Sequence, residues 1–142
     1  MVTCATCGCE LPQIKQKRHA KYCSSLCCKE YGRNKFRKLN PQKKICSSSV
    51  GAISELRVSI NLMERGAYVF RSLSPNAPCD LLVIWEKKYF RLEVTTGCYY
   101  GTEDKFYYSP HDKSKYDLLA VVLPDKIFYF PSLEEMLSSK QE

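Results

Sequence analysis

Two tight cysteine pairs, Cys4-x-x-Cys7 and Cys23-x-x-x-Cys27, separated by fifteen residues, constrain this chain more than any other feature. Zinc takes four soft or borderline ligands in a tetrahedron. Two close pairs joined by a loop bring four thiolates around one ion at small entropic cost. Gly8 follows the first pair and permits the tight turn that folds two thiolates onto a metal. Ser24 or Ser25 can cap a helix whose first turn carries Cys27. A disulfide framework fits poorly. Nine cysteines are an odd count, and the first thirty residues carry Cys, Gln and Lys in place of the apolar core of a secretory signal. A reducing, cytoplasmic location is therefore expected.

The spacing predicts a zinc-ribbon or treble-clef-like finger over residues 3–28, which resembles the small fingers with a CxxCG…YCSxxC pattern. Cys9 and Cys28 are expected to be spare thiols, since Cys28 points about 100° away from Cys27 if the segment is helical. His19 lies in the basic run 15–21 and reads as a surface or nucleic-acid-facing residue rather than a ligand. Charge is concentrated at this end. Residues 1–46 hold eleven Lys/Arg against two acids, a net +9, whereas residues 47–142 hold eleven against thirteen, a net −2. That asymmetry suggests a nucleic-acid-binding or membrane-surface arm. If Cys27–Leu39 is helical, Lys29, Arg33 and Arg37 form one stripe at i, i+4 and i+8, flanked by Lys35 and Lys38. Such a stripe suits phosphate contacts, and a merely solvated helix would mix signs more evenly. Asn40-Pro41 ends the helix. The organisation expected is a finger with a basic helix over 1–39, a linker over 40–49 and a second domain over 50–142.

The second domain predicts a helix over 50–65, with Ile53, Leu56, Ile60 and Met63 at helical spacing and Gly66 as its C-terminal stop. Strands are expected at 67–72, 80–85, 89–95, 117–123 and 126–130, with an irregular aromatic stretch over 99–116. Ser132-Leu-Glu-Glu135 is a capping box for a last helix. No apolar run reaches the roughly 18 residues of a membrane helix. This order predicts an α/β or α+β fold with one core.

Two acids fall inside apolar strands, Asp80 before Leu-Leu-Val-Ile-Trp85 and Glu93 within Phe-Arg-Leu-Glu-Val-Thr95. A carboxylate there is costly unless paired or metal-bound. With Lys87-Lys88 as the loop centre, Asp80 faces Thr95 and lies diagonal to Glu93 on the same face, within reach of a shared ion. Glu55 borders a small-residue helix face formed by Ala52 and Ser59.

Glu55 on a first helix, Pro78-Cys79-Asp80 opening a strand and Glu93-Val94-Thr95 on the next resemble the PD-(D/E)XK nuclease superfamily, with group I intron homing endonucleases and Holliday junction resolvases as the nearest likeness. The resemblance covers about residues 50–131. It implies a restriction-endonuclease-like core, a mixed sheet flanked by helices. It also implies Mg²⁺ or Mn²⁺ bound by Asp80 and Glu93 with Glu55 assisting, and DNA as partner. One departure is marked. The family's lysine, two residues after the second acid, is Thr95 here. Its role falls to Arg91, on the same strand face as Glu93, or to Lys105, Lys113 or Lys115, or catalysis is lost.

Three functions follow from these residues: a metal-dependent DNA endonuclease with a zinc-finger arm, a DNA-binding protein that keeps the nuclease fold without cleavage, and a zinc-ribbon RNA-binding protein. Cutting two strands commonly pairs two copies, so a homodimer is open, with no interface legible. The aromatic stretch, with Tyr99, Tyr100, Phe106, Tyr107, Tyr108 and Tyr116 among Lys105, His111, Lys113 and Lys115, suits either stacking on bases or padding of the sheet. His111 follows Ser-Pro and reads as a surface turn.

Overall fold

A computed structural model describes residues 1–17, 20–74 and 76–139. His19 lies outside the described residues. The chain begins with a knuckle in which Thr3 bridges Glu10, Cys4 N–H donates to Cys9 C=O at 2.8 Å and Gly8 takes φ +73°. A short helix α1 (Gln13–Lys17) leads to α2 (Ser25–Leu39), whose N-cap Ser24 accepts from Cys27 N–H. Helix α3 spans Ser47–Glu64. Seven strands follow: β1 (Tyr68–Arg71), β2 (Leu81–Trp85), β3 (Lys88–Thr96), β4 (Cys98–Tyr100), β5 (Thr102–Tyr107), β6 (Leu118–Val122) and β7 (Ile127–Phe130). Helix α4 (Leu133–Ser138) opens on the expected capping box, Ser132 with Glu135.

The main sheet has the order β1-β2-β3-β6-β7, antiparallel except for the parallel pair β3–β6. Alternation along the strands sorts its two faces. Leu81, Val83, Phe90, Leu92, Leu118, Ala120 and Val122 pack with Val58 and Leu62 of α3 and Met136 of α4 in one core cluster. On the opposite face, β4 and β5 form a two-stranded hairpin over β6 and β7. Gly97 enters it so closely that a Cβ would sit 2.9 Å from both Leu123 and Val121, and Phe106 stacks on Phe128 at 4.9 Å. All of β6 is buried in consequence.

Four expectations need revision. The aromatic stretch is not irregular over its first part, which is the β4–β5 hairpin. On α3 the face against the sheet is Ser54, Val58 and Leu62, whereas Ile53, Leu56, Ile60 and Met63 are exposed. The close approach works because Ser54 can be buried with its hydroxyl bonded to Thr96 at 2.9 Å. The β2–β3 turn is Glu86-Lys87, both at positive φ, so the register pairs Leu81 with Leu92 and Leu82 with Arg91. Carried one step further, it sets Asp80 across from Glu93 rather than from Thr95. Finally, residues 40–49 hold a 3-10 turn (Pro41–Lys44) and the start of α3. Asn40 is fully buried there, with its side chain bonded to the Tyr99 backbone at 3.0 and 2.7 Å.

Candidate functional site

The finger gathers its four predicted thiols. The Sγ atoms of Cys4, Cys7, Cys23 and Cys27 all lie within 4.8 Å of one another, with Cys7–Cys23 at 3.6 Å and Cys23–Cys27 at 3.4 Å. A tetrahedral zinc with bonds of about 2.3 Å sets sulfurs about 3.8 Å apart, so the donor set fits that ion. Local structure makes the cluster. The knuckle turns Cys4 and Cys7 inward, and the cap of α2 presents Cys27, whose C=O accepts from the Thr6 hydroxyl at 2.7 Å. Backbone N–H groups of Cys7, Cys23 and Thr6 lower the Cys4 thiol to about 6. For Cys27 the Ser24 hydroxyl pulls down, but Cys23, burial, Cys7 and Cys4 push up, to about 12. Thiols packed this closely cannot all ionise without a cation, so a metal relieves a conflict the fold creates. Cys28 is exposed on α2, away from this cluster. Cys9, expected to be spare, lies 3.3 Å from Cys7 yet outside the mutual four.

The basic residues Lys29, Arg33, Lys35, Arg37 and Lys38 are all exposed on α2, a helix with no buried residue. Its C-terminal end is anchored to the sheet domain through Asn40.

The acids lie toward one end of the sheet, but among the described residues only the four cysteines form a group of three or more side chains close enough to share an ion. Asp80 Oδ2 accepts from Val94 N–H at 2.8 Å. Glu55 and Asp80 line one cavity of about 340 Å³, together with Arg71 and Cys79. Burial and the neighbouring Asp80 charge push the Glu93 carboxyl above the usual range, against the pull of His111 and Lys115. His111 Nδ1 stands 3.2 Å from Glu93 Oε1. Glu55 is held by Arg71 at 2.7 Å.

Arg91, the first stand-in for the missing lysine, is committed elsewhere. Its guanidinium grips Asp117 at 2.9 and 3.2 Å and donates to Ser114 C=O at 3.4 Å. The Asp117 carboxyl is thereby held below its usual range. Thr95 is 8% exposed and pairs with Val121, so it lies where the β4–β5 hairpin covers the sheet. Sequence reasoning did not foresee the partners Arg71 and His111. Arg71 reaches Glu55 from β1, beyond the short turn that follows α3, and His111 reaches Glu93 from the loop between β5 and β6; neither carries a local signal.

The fold and the two clusters define a mixed α/β protein with a cysteine-cluster finger at its N-terminal end. No family model and no curated protein matches the chain. Among solved structures, a bacterial homing endonuclease, I-Ssp6803I, superposes with a TM-score of 0.54 over 67% of this chain and 71% of that one, at 13% identity. The likeness is one of fold, a mixed sheet flanked by helices. No described helix is long and apolar enough to cross a membrane.

Proposed function

We propose that the chain is a metal-dependent DNA endonuclease of the PD-(D/E)XK type, with a zinc finger and basic helix that bind the DNA backbone. The observation that carries this reading is the β2–β3 register, which, carried one residue past Leu81 and Leu92, sets Asp80 across from Glu93, with Glu55 lining the same cavity as Asp80. Half-buried neighbouring carboxylates are costly unless a cation or proton resolves their repulsion, and the Glu93 carboxyl is raised first by burial and then by the Asp80 charge. Asp80 and Glu93, helped by Glu55, are the groups that would hold Mg²⁺ or Mn²⁺; bound there, such an ion polarises a phosphoryl oxygen and acidifies a water. The Val94 N–H orients Asp80 for this role. Arg71 must release Glu55 if that carboxylate is to take part. Cys4, Cys7, Cys23 and Cys27 would hold Zn²⁺, fixing the base of α2 so that Lys29, Arg33, Lys35, Arg37 and Lys38 face the phosphates.

A second reading, a DNA-binding protein of the same fold without cleavage, is favoured by Thr95 and by the engagement of Arg91 with Asp117. A plasmid-nicking assay with Mg²⁺, Mn²⁺ and a chelator separates the two. The endonuclease reading expects metal-dependent nicking that Asp80→Ala and Glu93→Ala each abolish. Intact plasmid under every metal, with DNA binding retained, leaves the binding reading standing.

A further inference from the structure

Beside Glu93 the chain forms a second cavity, of about 460 Å³, walled by Tyr108, Pro110, His111, Lys113, Tyr116 and Phe130. We infer that this cavity receives the base of an unpaired nucleotide next to the cut phosphate, so that the preferred substrate is DNA with an unpaired nucleotide at that point. The inference rests on the nucleic-acid reading above.

Four observations carry it. The first is the aromatic wall. Phe128, Phe106, Tyr108 and Phe130 form a series of near-parallel rings, with interplanar angles of 10° for Phe106–Phe128, 27° for Phe106–Tyr108 and 20° for Tyr108–Phe130. Its inner rings pad the sheet, while Tyr108 and Phe130 remain 37% and 42% exposed at the cavity. Flat π faces open to solvent are what a nucleobase stacks on, whichever base it is.

The second is size and preformation. The volume lies in the range of small-ligand pockets. The loop that walls it is already ordered by its own bonds. Asp112 accepts from Ser114 N–H and Oγ–H at 3.1 and 2.8 Å, and Asp117 N–H donates to Arg91 C=O at 2.8 Å. Little ordering remains to oppose binding.

The third is polarity. Lys113 supplies a cation for the phosphate of the same nucleotide. His111 Nε2 is buried without a hydrogen-bond partner among the described residues, and a nucleobase edge offers one. Apolar ligands would leave both unanswered.

The fourth is position. His111 is shared, lining this cavity while its Nδ1 meets Glu93. A base seated here therefore has its own phosphate near the carboxylates. A paired, stacked base cannot enter such a pocket. It must be extruded, at a cost that is least where the nucleotide is already unpaired.

The test compares two duplexes of equal length at low salt, one fully paired and one with a single bulged 2-aminopurine, with Ca²⁺ in place of Mg²⁺. Expected is about tenfold tighter binding of the bulged duplex, the order that stacking on one or two rings supplies, with the 2-aminopurine fluorescence quenched on binding. Tyr108→Leu and Tyr116→Leu, which retain apolar bulk, should each reduce the preference and the quenching while paired-duplex affinity stays unchanged. Circular dichroism checks that both variants are folded, and exposed Lys113→Ala gives a third variant independent of packing. Equal affinity for the two duplexes, or a preference that survives all three substitutions, overturns the pocket while leaving the nuclease reading intact. Failure to bind either duplex overturns both.

Discussion

Replacing Asn40 by alanine should cost this fold more than its place between a helix and a proline suggests. The side chain is fully buried. Its Nδ2 donates to Phe36 C=O at 3.1 Å and to Tyr99 C=O at 3.0 Å, and its Oδ1 accepts from Tyr99 N–H at 2.7 Å. Phe36 C=O keeps a second donor, the Asn40 N–H at 2.9 Å. Both backbone groups of Tyr99 lose this partner, at a residue only 2% exposed. Each buried group left unsatisfied costs about 1–3 kcal/mol. Two such groups give roughly 2–6 kcal/mol, and partial relaxation brings the expectation to about 3 kcal/mol, against a total stability of about 5–15 kcal/mol for a domain.

Urea unfolding reads this directly. With a slope of about 2 kcal/mol/M, the midpoint should fall by about 1.5 M at unchanged slope. Asn40→Asp keeps an acceptor for Tyr99 N–H but offers its carbonyl no donor and buries a charge, so it should also destabilise. The bond spans 59 residues and ties the end of α2 to β4. Its loss should therefore also loosen the finger, seen as faster amide exchange in α2. A midpoint shift below about 0.5 M for Asn40→Ala would refute the argument that these bonds are what join finger to sheet.

Three further outcomes can be checked. Purified protein should contain one zinc per chain, and Cys23→Ser should remove it; because metal must displace protons from thiols such as Cys27, held at about 12, zinc affinity should fall as pH falls. Elemental analysis across a pH series measures both. Arg33→Ala and Arg37→Ala should weaken DNA binding and lower the slope of log affinity against log salt by about 1 for each phosphate that goes unneutralised, as read by anisotropy titration. Gly97→Ala should destabilise by about 1–3 kcal/mol, because the new methyl meets Leu123 and the stiff Val121 at 2.9 Å in a packed region; thermal melting tests it.

How much of this was legible before the structure depends on how local each signal is. The five strands of the main sheet announced themselves as apolar runs, the capping box of α4 as Ser132 with Glu135, and the thiol cluster as spacing. The β2–β3 turn was displaced by one residue because Glu86 and Lys87 adopt positive φ without the Asn or Gly that ordinarily marks such a turn. The pairing sum moved by two, so the assignment of Asp80 and Glu93 to one face survived. The stripe Ile53, Leu56, Ile60 and Met63 misled because α3 has apolar residues on more than one side. Which side meets the sheet is decided by Ser54, buried through its bond to Thr96, and no periodicity argument favours a serine. His111 and Asn40 were invisible for another reason. Each matters through bonds to residues distant in sequence, and local chemistry marked one as a turn and the other as a helix stop.

The position of Thr95 bears on where positive charge can enter such a site. The residue pairs with Val121 in the parallel ladder, and Val121 lies under the hairpin that Gly97 enters. A lysine stem at 95 would have to pass between sheet and hairpin, in space that Thr95 fills at 8% exposure. Arg91, two same-face positions away on β3, is neutralised by Asp117. Under the nuclease reading, charge must then come from outside the sheet, and the loop between β5 and β6 is the segment that supplies it. His111 reaches Glu93 from this loop, and Lys115 is felt by the same carboxyl. The loop also walls the aromatic cavity. On that reading, charge for the phosphate and a seat for the base would ride on one segment, so a substrate that filled the cavity would also fix the groups nearest the acids. Under that reading, the coupling gives a physical reason why position 95 can do without a lysine: the strand would hold the carboxylates, and the loop the groups that answer to the shape of the DNA.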